Sequence, residues 1–391
     1  MNPSRQIIKV LFIYTHTIHG GGETYLLRIL DGVDNTKIEP IAAISSRNKR
    51  LADDLKKRNI TYVVLPDMNL LWKNKIAKMF IQLPNFLLMN IIMAWMILKY
   101  QPRIVHAGLF YSGLFSVLPT KLLGRRFAWV ALTESDLIAY PHLTGFLMRF
   151  SDKTISVCKY FIEIAHERGL PATERMEVIY TGLTNDRFEN HAEKPMFGAS
   201  GNKINHPIVA LVARYDESQK GHIYFWEMAS LIHKKMKDVN FVVAGAPGNH
   251  GEELFKERLE VMARKINLSQ NLFFAGFIKD IPMFLSQIDI LILPSTNEGA
   301  PVIVQEAGAS GKPIVASSVG GVSELLRDGE TGFLVPPRDA EALAEKTLLL
   351  LSDPVLARKM GERGKKFVYD HFRERKFIES YEHLYESLSK T

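Results

Sequence analysis

Residues 288–316 read IDILILPSTNEGAPVIVQEAGASGKPIVA, the pattern of a strand, a helix and the start of another strand. The apolar run 288–293 predicts a buried strand, and Gly-Lys-Pro at 311–313 predicts the end of a helix. Pro301 suits the first helical position, because its missing N–H costs nothing there. The free N–H groups of Val302 and Ile303 would then form an anion site at the start of the helix.

Two glutamates flank this predicted anion site. Glu298 precedes the helix, and Glu306 lies about 7.5 Å along the helix axis from Pro301. Carboxylates accept hydrogen bonds from vicinal hydroxyls, so the pair could hold both ends of a nucleotide-sugar. Two glutamates at this spacing are also common on ordinary surfaces, and taken alone they favour that interpretation.

A second polar cluster follows the apolar run 208–213. Arg214 comes directly after the run, and Lys220 and Gly221 follow six and seven residues later. Two cations beyond a strand could hold a diphosphate and stabilise the charge that develops as it leaves. Gly221 would permit close approach of the backbone. A solvated charged loop is the alternative.

The whole chain alternates short apolar runs with longer amphipathic stretches, which predicts buried parallel strands joined by crossover helices. The polar stretch 190–206, which carries glycine, proline and serine, predicts a linker. We therefore expect two α/β domains, over 1–190 and 206–370, and a C-terminal helix over 371–391 that packs back on the first domain. Ligands of such sheets bind beyond the carboxyl ends of the strands.

The composition is that of a globular protein and excludes wholesale disorder. The chain has 391 residues, of which 47% are hydrophobic and 23% charged. The single cysteine, Cys158, excludes a disulfide framework and a cysteine zinc cluster, and it fits a reducing, cytoplasmic compartment. Residues 1–6 lead directly into an apolar run, so we expect no signal peptide.

The net charge of +7 lies in the first half of the chain. The first 195 residues carry 25 Lys and Arg against 17 Asp and Glu, whereas the remainder carries 24 against 25. Nucleic acid, an anionic membrane or an anionic substrate could explain such an excess. The basic residues are dispersed and no recognised nucleic-acid motif occurs, so we do not expect a nucleic-acid partner.

These motifs, together with VGGVSELLRDGETGFLV over 319–335, resemble the family 4 retaining glycosyltransferases of the GT-B fold (glycosyl transferases group 1). The segment Gly20–Glu23 and the segment 104–107 add to the resemblance, which covers nearly the whole chain. Its motifs are specific in the second half and looser in the first. The resemblance implies two Rossmann-like, doubly wound parallel-sheet domains that face each other across a cleft.

The resemblance also implies roles for individual residues. Arg214 and Lys220 would contact the donor diphosphate and, with Glu298, form the catalytic set. Glu298 would bind hydroxyls of the donor sugar, and Glu306 the ribose of the nucleotide. Further donor contacts are expected from Gly21, Gly22, Gly245, Phe277, Ile278, Gly299, Ala300, Pro301, Val302 and Ile303. For the loop that carries Gly21 and Gly22, contact with the acceptor is the alternative.

The acceptor side departs from the family pattern. Members often carry a histidine in a Thr-x-His segment near the reacting sugar, whereas residues 131–136 read ALTESD. Ser135 takes the histidine position, or Glu134 if the alignment slips by one. Since serine cannot supply an imidazole, positioning of the acceptor or sugar must differ. His106 and His16 are further acceptor-side candidates, and for His106 a structural role is equally expected.

The expected reaction is transfer of a hexose from a nucleotide-diphosphate sugar to a glycan or lipid-linked acceptor, with retention, in cell-surface polysaccharide or glycolipid assembly. No Asp-x-Asp motif occurs, so we expect no metal and no other cofactor, with Arg214 and Lys220 replacing the charge of a metal. A sugar-nucleotide epimerase of the same fold and a donor-binding protein without turnover are the alternatives.

The segment Met79–Leu98 is apolar at sixteen of twenty positions. That length could span a bilayer, but such a segment would separate the following strand from its sheet, so we reject a membrane span. A core helix and an interfacial helix with basic ends are the two remaining interpretations. With the charge excess, the second predicts peripheral association with the cytoplasmic face of an anionic membrane.

Overall fold

The chain folds into two units in a computed structural model that describes residues 7–15, 21–66, 78–184, 188, 206–265, 268 and 270–390. One unit comprises Met1–Thr181 and Arg375–Thr391, and the other comprises Gly182–Glu374. The boundary thus falls at Thr181, earlier than the predicted 190, because Leu183 pairs with Arg373 in the second unit. The predicted linker lies outside the described residues up to 205.

The first unit contains a seven-stranded sheet in which all neighbouring strands are parallel. Its strands are β1 (Ile8–Tyr14), β2 (Ile38–Ser45), β3 (Thr61–Leu65), β4 (Ile104–Gly108), β5 (Arg126–Ala131), β6 (Lys153–Ser156) and β7 (Met176–Val178). Their order is β3-β2-β1-β4-β5-β6-β7. Successive strands are therefore added toward one edge from β1 to β3 and toward the other edge from β4 onward.

In the described part of the first unit, seven α-helices connect these strands. They are α1 (Gly21–Gly32), α2 (Lys49–Lys57), α3 (Lys78–Tyr100), α4 (Phe110–Leu122), α5 (Glu134–Ile138), α6 (Pro141–Phe150) and α7 (Lys159–Glu167). Most residues of β1, β2, β4 and β5 are buried, which explains their nearly continuous apolar runs. Among the described residues, no helix is both long and apolar enough to cross a membrane.

The second unit contains a six-stranded parallel sheet. Its strands are β8 (Ile208–Val212), β9 (Asn240–Ala244), β10 (Leu272–Gly276), β11 (Ile290–Leu293), β12 (Ile314–Ser317) and β13 (Phe333–Val335). Their order, β10-β9-β8-β11-β12-β13, is that of a Rossmann sheet and reverses between β8 and β11.

The remaining helices follow in chain order. They are α8 (His222–Lys235), α9 (His250–Lys265), α10 (Ile281–Ser286), α11 (Val302–Ala309), α12 (Val322–Leu325), α13 (Ala340–Ser352), α14 (Pro354–His371) and α15 (Glu374–Lys390). The predicted α/β class with parallel sheets is confirmed. The C-terminal helix begins at Glu374 rather than at 371, because α14 extends to His371.

The helix α15 packs on the first unit through hydroxyl and carboxylate contacts. The hydroxyls of Tyr25 and Tyr381 form a buried hydrogen bond. Glu382 accepts hydrogen bonds from the backbone N–H of Asp34 at 2.9 Å and from Lys37 Nζ at 3.2 Å. The chain therefore returns to its first unit after completing the second.

Candidate active site

The predicted donor residues of the second unit follow the two strands at which the sheet order reverses. Arg214, Lys220 and Gly221 come after β8, and Glu298 comes after β11. The carboxyl ends of adjacent strands on either side of such a reversal form the usual ligand crevice of an open α/β sheet. The fold therefore gathers residues about 80 positions apart at a single edge.

Lys220 and Glu298 form a direct ion pair. Lys220 Nζ lies 2.8 Å from Oε1 and 3.0 Å from Oε2 of Glu298, and the Ser295 hydroxyl donates to Oε1 at 2.8 Å. The side chain of Glu298 is 8% exposed and that of Lys220 is 24% exposed. Because an ammonium has three N–H donors, Lys220 can bind Glu298 and still donate to an anionic ligand.

Backbone contacts hold the loops that carry this pair. The backbone N–H of Thr296 donates to the carbonyl of Gln219 at 2.8 Å. Gly221 has a φ of +65°, and a Cβ there would lie 1.8 Å from the carbonyl oxygen of Pro294. Gly320 has a φ of +52°, and a Cβ there would lie 1.8 Å from the carbonyl oxygen of Glu298. Only glycine allows the loops to approach so closely.

Arg214 is oriented by two carboxylates that the sequence analysis did not identify. Its Nε lies 3.3 Å from Glu252 Oε1, and its Nη2 lies 3.2 Å from Asp216 Oδ2. Burial alone would raise the pKa of Asp216, but hydrogen bonds from Ser218 and the charge of Arg214 outweigh it, and the pKa is lowered. Asp216 therefore stays ionised and holds the guanidinium at the carboxyl edge of β8.

The helix α11 begins one residue later than predicted. Pro301 is the N-cap, with a φ of −66° and a ψ of 114°, so its backbone is extended and Val302 is the first helical residue. No side chain caps this end, which leaves the first N–H groups of α11, including that of Ile303, directed out of the helix. Glu306 is half-buried farther along the same helix.

The other predicted donor residues of this unit lie at the same carboxyl edge. Gly299 accepts a hydrogen bond from the backbone N–H of Gly321 at 2.9 Å, and Ala300 is half-buried beside it. Gly245 donates to the carbonyl of Gly276 at 2.8 Å. After β10, the side chains are Phe277, which is 47% exposed, and Ile278, which is buried.

In the first unit, the structure brings the start of α1 close to the segment after β5. Gly21 and Gly22 begin α1, and a Cβ on Gly22 would lie 3.5 Å from the side chain of Leu132. Glu134 and Ser135 begin α5, with Ser135 exposed and its Oγ 2.8 Å from the hydroxyl of Thr133. These residues share the carboxyl edge of the sheet. His16 lies outside the described residues.

The acceptor-side interpretation of His106 is wrong. Its side chain is fully buried, and its Nδ1 lies 2.7 Å from the hydroxyl of Tyr385 on α15. Burial lowers the pKa of His106 to about 3, so the ring is neutral at pH 7. No substrate can reach it, and its role is to pack the first sheet against α15.

The second unit matches a known family over nearly its whole length. Residues 194–367 match the family model described as glycosyl transferases group 1. The second unit is a group 1 glycosyl transferase domain.

Curated relatives of this group 1 domain match only part of the chain. N-acetyl-alpha-D-glucosaminyl L-malate synthase of Bacillus anthracis is 32% identical over 32% of this chain and 32% of its own length. Alpha-D-kanosaminyltransferase of Streptomyces kanamyceticus is 29% identical over 52% of this chain and 51% of its own length. The chain thus matches between a third and a half of the length of these relatives.

Solved structures resemble the whole chain, including the group 1 domain. Anabaena Alr3699/HepE, solved in complex with UDP, has a TM-score of 0.78 at 18% identity and covers 98% of this chain and 100% of its own. Sucrose-phosphate synthase from Thermosynechococcus elongatus has a TM-score of 0.80 at 20% identity and covers 97% of this chain and 99% of its own. The chain therefore has the GT-B fold.

A further buried carboxylate, that of Asp136, joins the segments that follow β4 and β5 in the first unit. Asp136 accepts hydrogen bonds from the backbone N–H groups of Phe110, Leu132 and Thr133 at 2.8, 3.0 and 2.9 Å. Burial raises the pKa of Asp136 even though these bonds oppose it. The spacing Thr133-x-x-Asp136 is a capping-box signal from which the sequence could have identified this residue.

Among the described residues, no group of three or more His, Cys, Asp or Glu side chains lies close enough together to hold a metal ion.

Proposed function

We propose that this protein is a retaining glycosyltransferase. It moves a hexose from a nucleotide-diphosphate sugar to the hydroxyl of a glycan or lipid-linked acceptor, in cell-surface polysaccharide or glycolipid assembly. The observation that carries the proposal is the Lys220–Glu298 pair at the sheet reversal of a group 1 domain. The structure of HepE with UDP-glucose supports a nucleotide-sugar as the donor class.

In this proposal, Lys220 and Arg214 bind the donor diphosphate. Lys220 has donor capacity beyond Glu298, and Arg214 is held by Asp216 and Glu252 in one orientation. When the bond between sugar and diphosphate breaks, negative charge grows on the leaving phosphate. Two fixed cations stabilise that charge more in the transition state than in the ground state, which accelerates the reaction. They take the place of a metal ion.

The start of α11 completes the donor site. The uncapped N–H groups of Val302 and Ile303 carry the positive end of the helix dipole and favour a phosphate. Glu306, about 5 Å farther along the helix than Ile303, accepts hydrogen bonds from the ribose hydroxyls. Glu298 accepts from hydroxyls of the donor sugar, and the exposed ring of Phe277 packs against the base.

Transfer conserves atoms and charge in one exchange of bonds. The sugar C1–O bond to the diphosphate breaks, the acceptor oxygen bonds to C1, and the proton of the acceptor hydroxyl leaves with the nucleoside diphosphate. Retention requires that the acceptor approach on the face of the sugar from which the diphosphate departs. The acceptor edge of the first unit then supplies contacts from Gly22, Glu134 and Ser135.

The test combines a panel of nucleotide-sugars with measurement of nucleoside diphosphate release and of product anomeric configuration by NMR. Lys220→Met and Glu298→Gln should each lower turnover about a hundredfold or more. The matched control is the exposed pair Arg358–Glu362 on α14, whose variants Arg358→Met and Glu362→Gln should retain turnover.

Each other outcome rejects the proposal. Change of the donor sugar in the absence of acceptor would identify an epimerase of the same fold. A thermal shift with a donor, but no turnover over the acceptor panel, would identify a binding protein. Inversion at C1 would reject the retaining mechanism, and loss of turnover in EDTA would reject charge stabilisation by Arg214 and Lys220 without a metal.

A further inference from the structure

The helix α3 is apolar on two opposite faces. One face packs into the first unit, where Met89, Met93 and Met96 are buried. On the other face, every exposed residue between 84 and 98 is apolar. These residues are Pro84, Leu87, Leu88, Ile91, Trp95 and Leu98, which we call the α3 stripe. A helix that is apolar all round is normally enclosed by protein or by lipid, whereas no residue that the structure describes covers the stripe.

The α3 stripe has the dimensions of an interfacial surface. At 3.6 residues per turn, its six positions fall within an arc of about 100°, and it runs about 21 Å along the helix. Ile91 is 65% exposed and Trp95 is 51% exposed. Of the seventeen large apolar side chains that are exposed among the described residues, five belong to the stripe. The apolar exposure is therefore concentrated on one continuous surface.

The sequence that contains the stripe carries only positive charges. Residues 68–133 contain eight Lys and Arg and no Asp or Glu. Lys99 Nζ lies 4.8 Å from the ring centre of Trp95, and Arg103 is exposed just beyond the helix. Basic residues next to an exposed apolar face complement a surface that is anionic outside and apolar inside.

We infer that α3 lies flat on an anionic lipid bilayer, with the stripe in the boundary between headgroups and acyl chains. Trp95 occupies the headgroup level, and Lys99 and Arg103 contact lipid phosphates. A second copy of this chain fits less well, because two such faces would bring like charges together.

The position of the stripe would bring a lipid-linked acceptor to the first unit. This part of the inference rests on the proposed transfer function. Because only three residues separate the end of α3 from the start of β4, the C-terminal end of α3 lies at the amino edge of the sheet. The ring centres of Phe86 and Phe115 lie 5.7 Å apart, and Phe115 is in the first half of α4, which begins beyond the carboxyl end of β4. The other end of the stripe therefore lies toward the carboxyl edge. A docked bilayer would therefore present a lipid-linked acceptor beside Gly22 and Ser135.

The test measures co-sedimentation of the full chain with phosphatidylcholine vesicles, with and without about one-third phosphatidylglycerol. We expect binding to the anionic vesicles, and a loss of about tenfold or more in the double variant I91Q/W95Q. Lys99→Glu should weaken binding to the anionic vesicles alone. The matched control is L254Q/V261Q, which changes two exposed apolar residues of α9 in the second unit.

Three results would overturn the inference. They are equal vesicle binding by I91Q/W95Q and the unchanged protein, no vesicle binding at all, and a dimer in solution that I91Q/W95Q converts to monomer. Thermal unfolding midpoints of both double variants verify that they fold. Since sedimentation uses neither donor nor acceptor, its outcome is independent of turnover, and failure of the transfer proposal remains distinguishable.

Discussion

Removing Lys220 should destabilise the second unit more than neutralising its partner Glu298. The two substitutions break the same ion pair but leave different groups behind. Lys220→Met leaves a carboxylate that is 8% exposed and still bonded to the Ser295 hydroxyl. Glu298→Gln leaves an ammonium that is 24% exposed and can turn toward water.

The magnitude follows from this difference in burial. Breaking a fully buried pair costs about 3–5 kcal/mol, because a charge is left uncompensated away from water. Lys220 is partly exposed and water can enter where its side chain was, so we expect about 2 kcal/mol for Lys220→Met. For Glu298→Gln we expect about 1 kcal/mol, since the amide oxygen can still accept a hydrogen bond.

Amide hydrogen exchange resolved by mass spectrometry measures the loss of stability of the second unit. Peptides from β8 and β11 report on the opening of that unit alone. The exposed pair Arg358–Glu362, with side chains that are 73% and 70% exposed, is the control. Arg358→Met should change stability by less than about 0.5 kcal/mol. If Lys220→Met cost no more than Glu298→Gln, burial of Glu298 would not control the energetics of the pair, and the reasoning would be refuted.

Two further predictions concern Gly320, which lies against the backbone of Glu298, and His222, the first residue of α8. Gly320→Ala should abolish detectable turnover and cost more than about 2 kcal/mol in the same exchange experiment, because its Cβ would strike the carbonyl oxygen of Glu298. Gly329→Ala, which also has a positive φ but open space around it, should cost about 1 kcal/mol, and equal costs would contradict the steric argument. Burial lowers the pKa of His222 from 6.5 to about 4, so protons bind the unfolded chain more readily between those values. Stability should therefore fall by about 3 kcal/mol as pH drops from 6.5 to 4, and His222→Phe should flatten this decline in the unfolding midpoint; an unchanged slope would exclude His222 as its source.

Much of the fold was predictable from local patterns because its central strands are buried on both faces. The apolar runs at 208–213 and 288–293 correspond to β8 and β11, and the segment 288–316 contains β11, α11 and the start of β12 as the predicted strand, helix and start of another strand. The strands β6, β7 and β13 were not predicted as strands. They are three or four residues long, and β6 begins with Lys153 and Thr154, so their pairing in the sheet decides their conformation.

The placement of Arg214, Lys220 and Glu298 at one sheet edge was predictable from the sequence, whereas their contacts were predictable only in part. Glu298, Lys220 and Arg214 were recognisable because each follows an apolar run, and the carboxyl ends of parallel strands share one edge. Their partners were not recognisable in this way. Asp216 and Glu252 resemble ordinary charged residues in loops and helix starts, and no local pattern indicates that they hold Arg214.

Sequence alone therefore specified the alternation of elements, the edge at which the predicted donor residues lie and the family resemblance, because these depend on periodicity and short-range spacing. It left His106 undecided between a ligand contact and the core, and it left Met79–Leu98 undecided between the core and an interface. Those questions depend on which surfaces remain uncovered after residues far apart in the chain have packed together. The hydroxyl of Tyr385 covers His106, whereas nothing among the described residues covers Ile91 and Trp95.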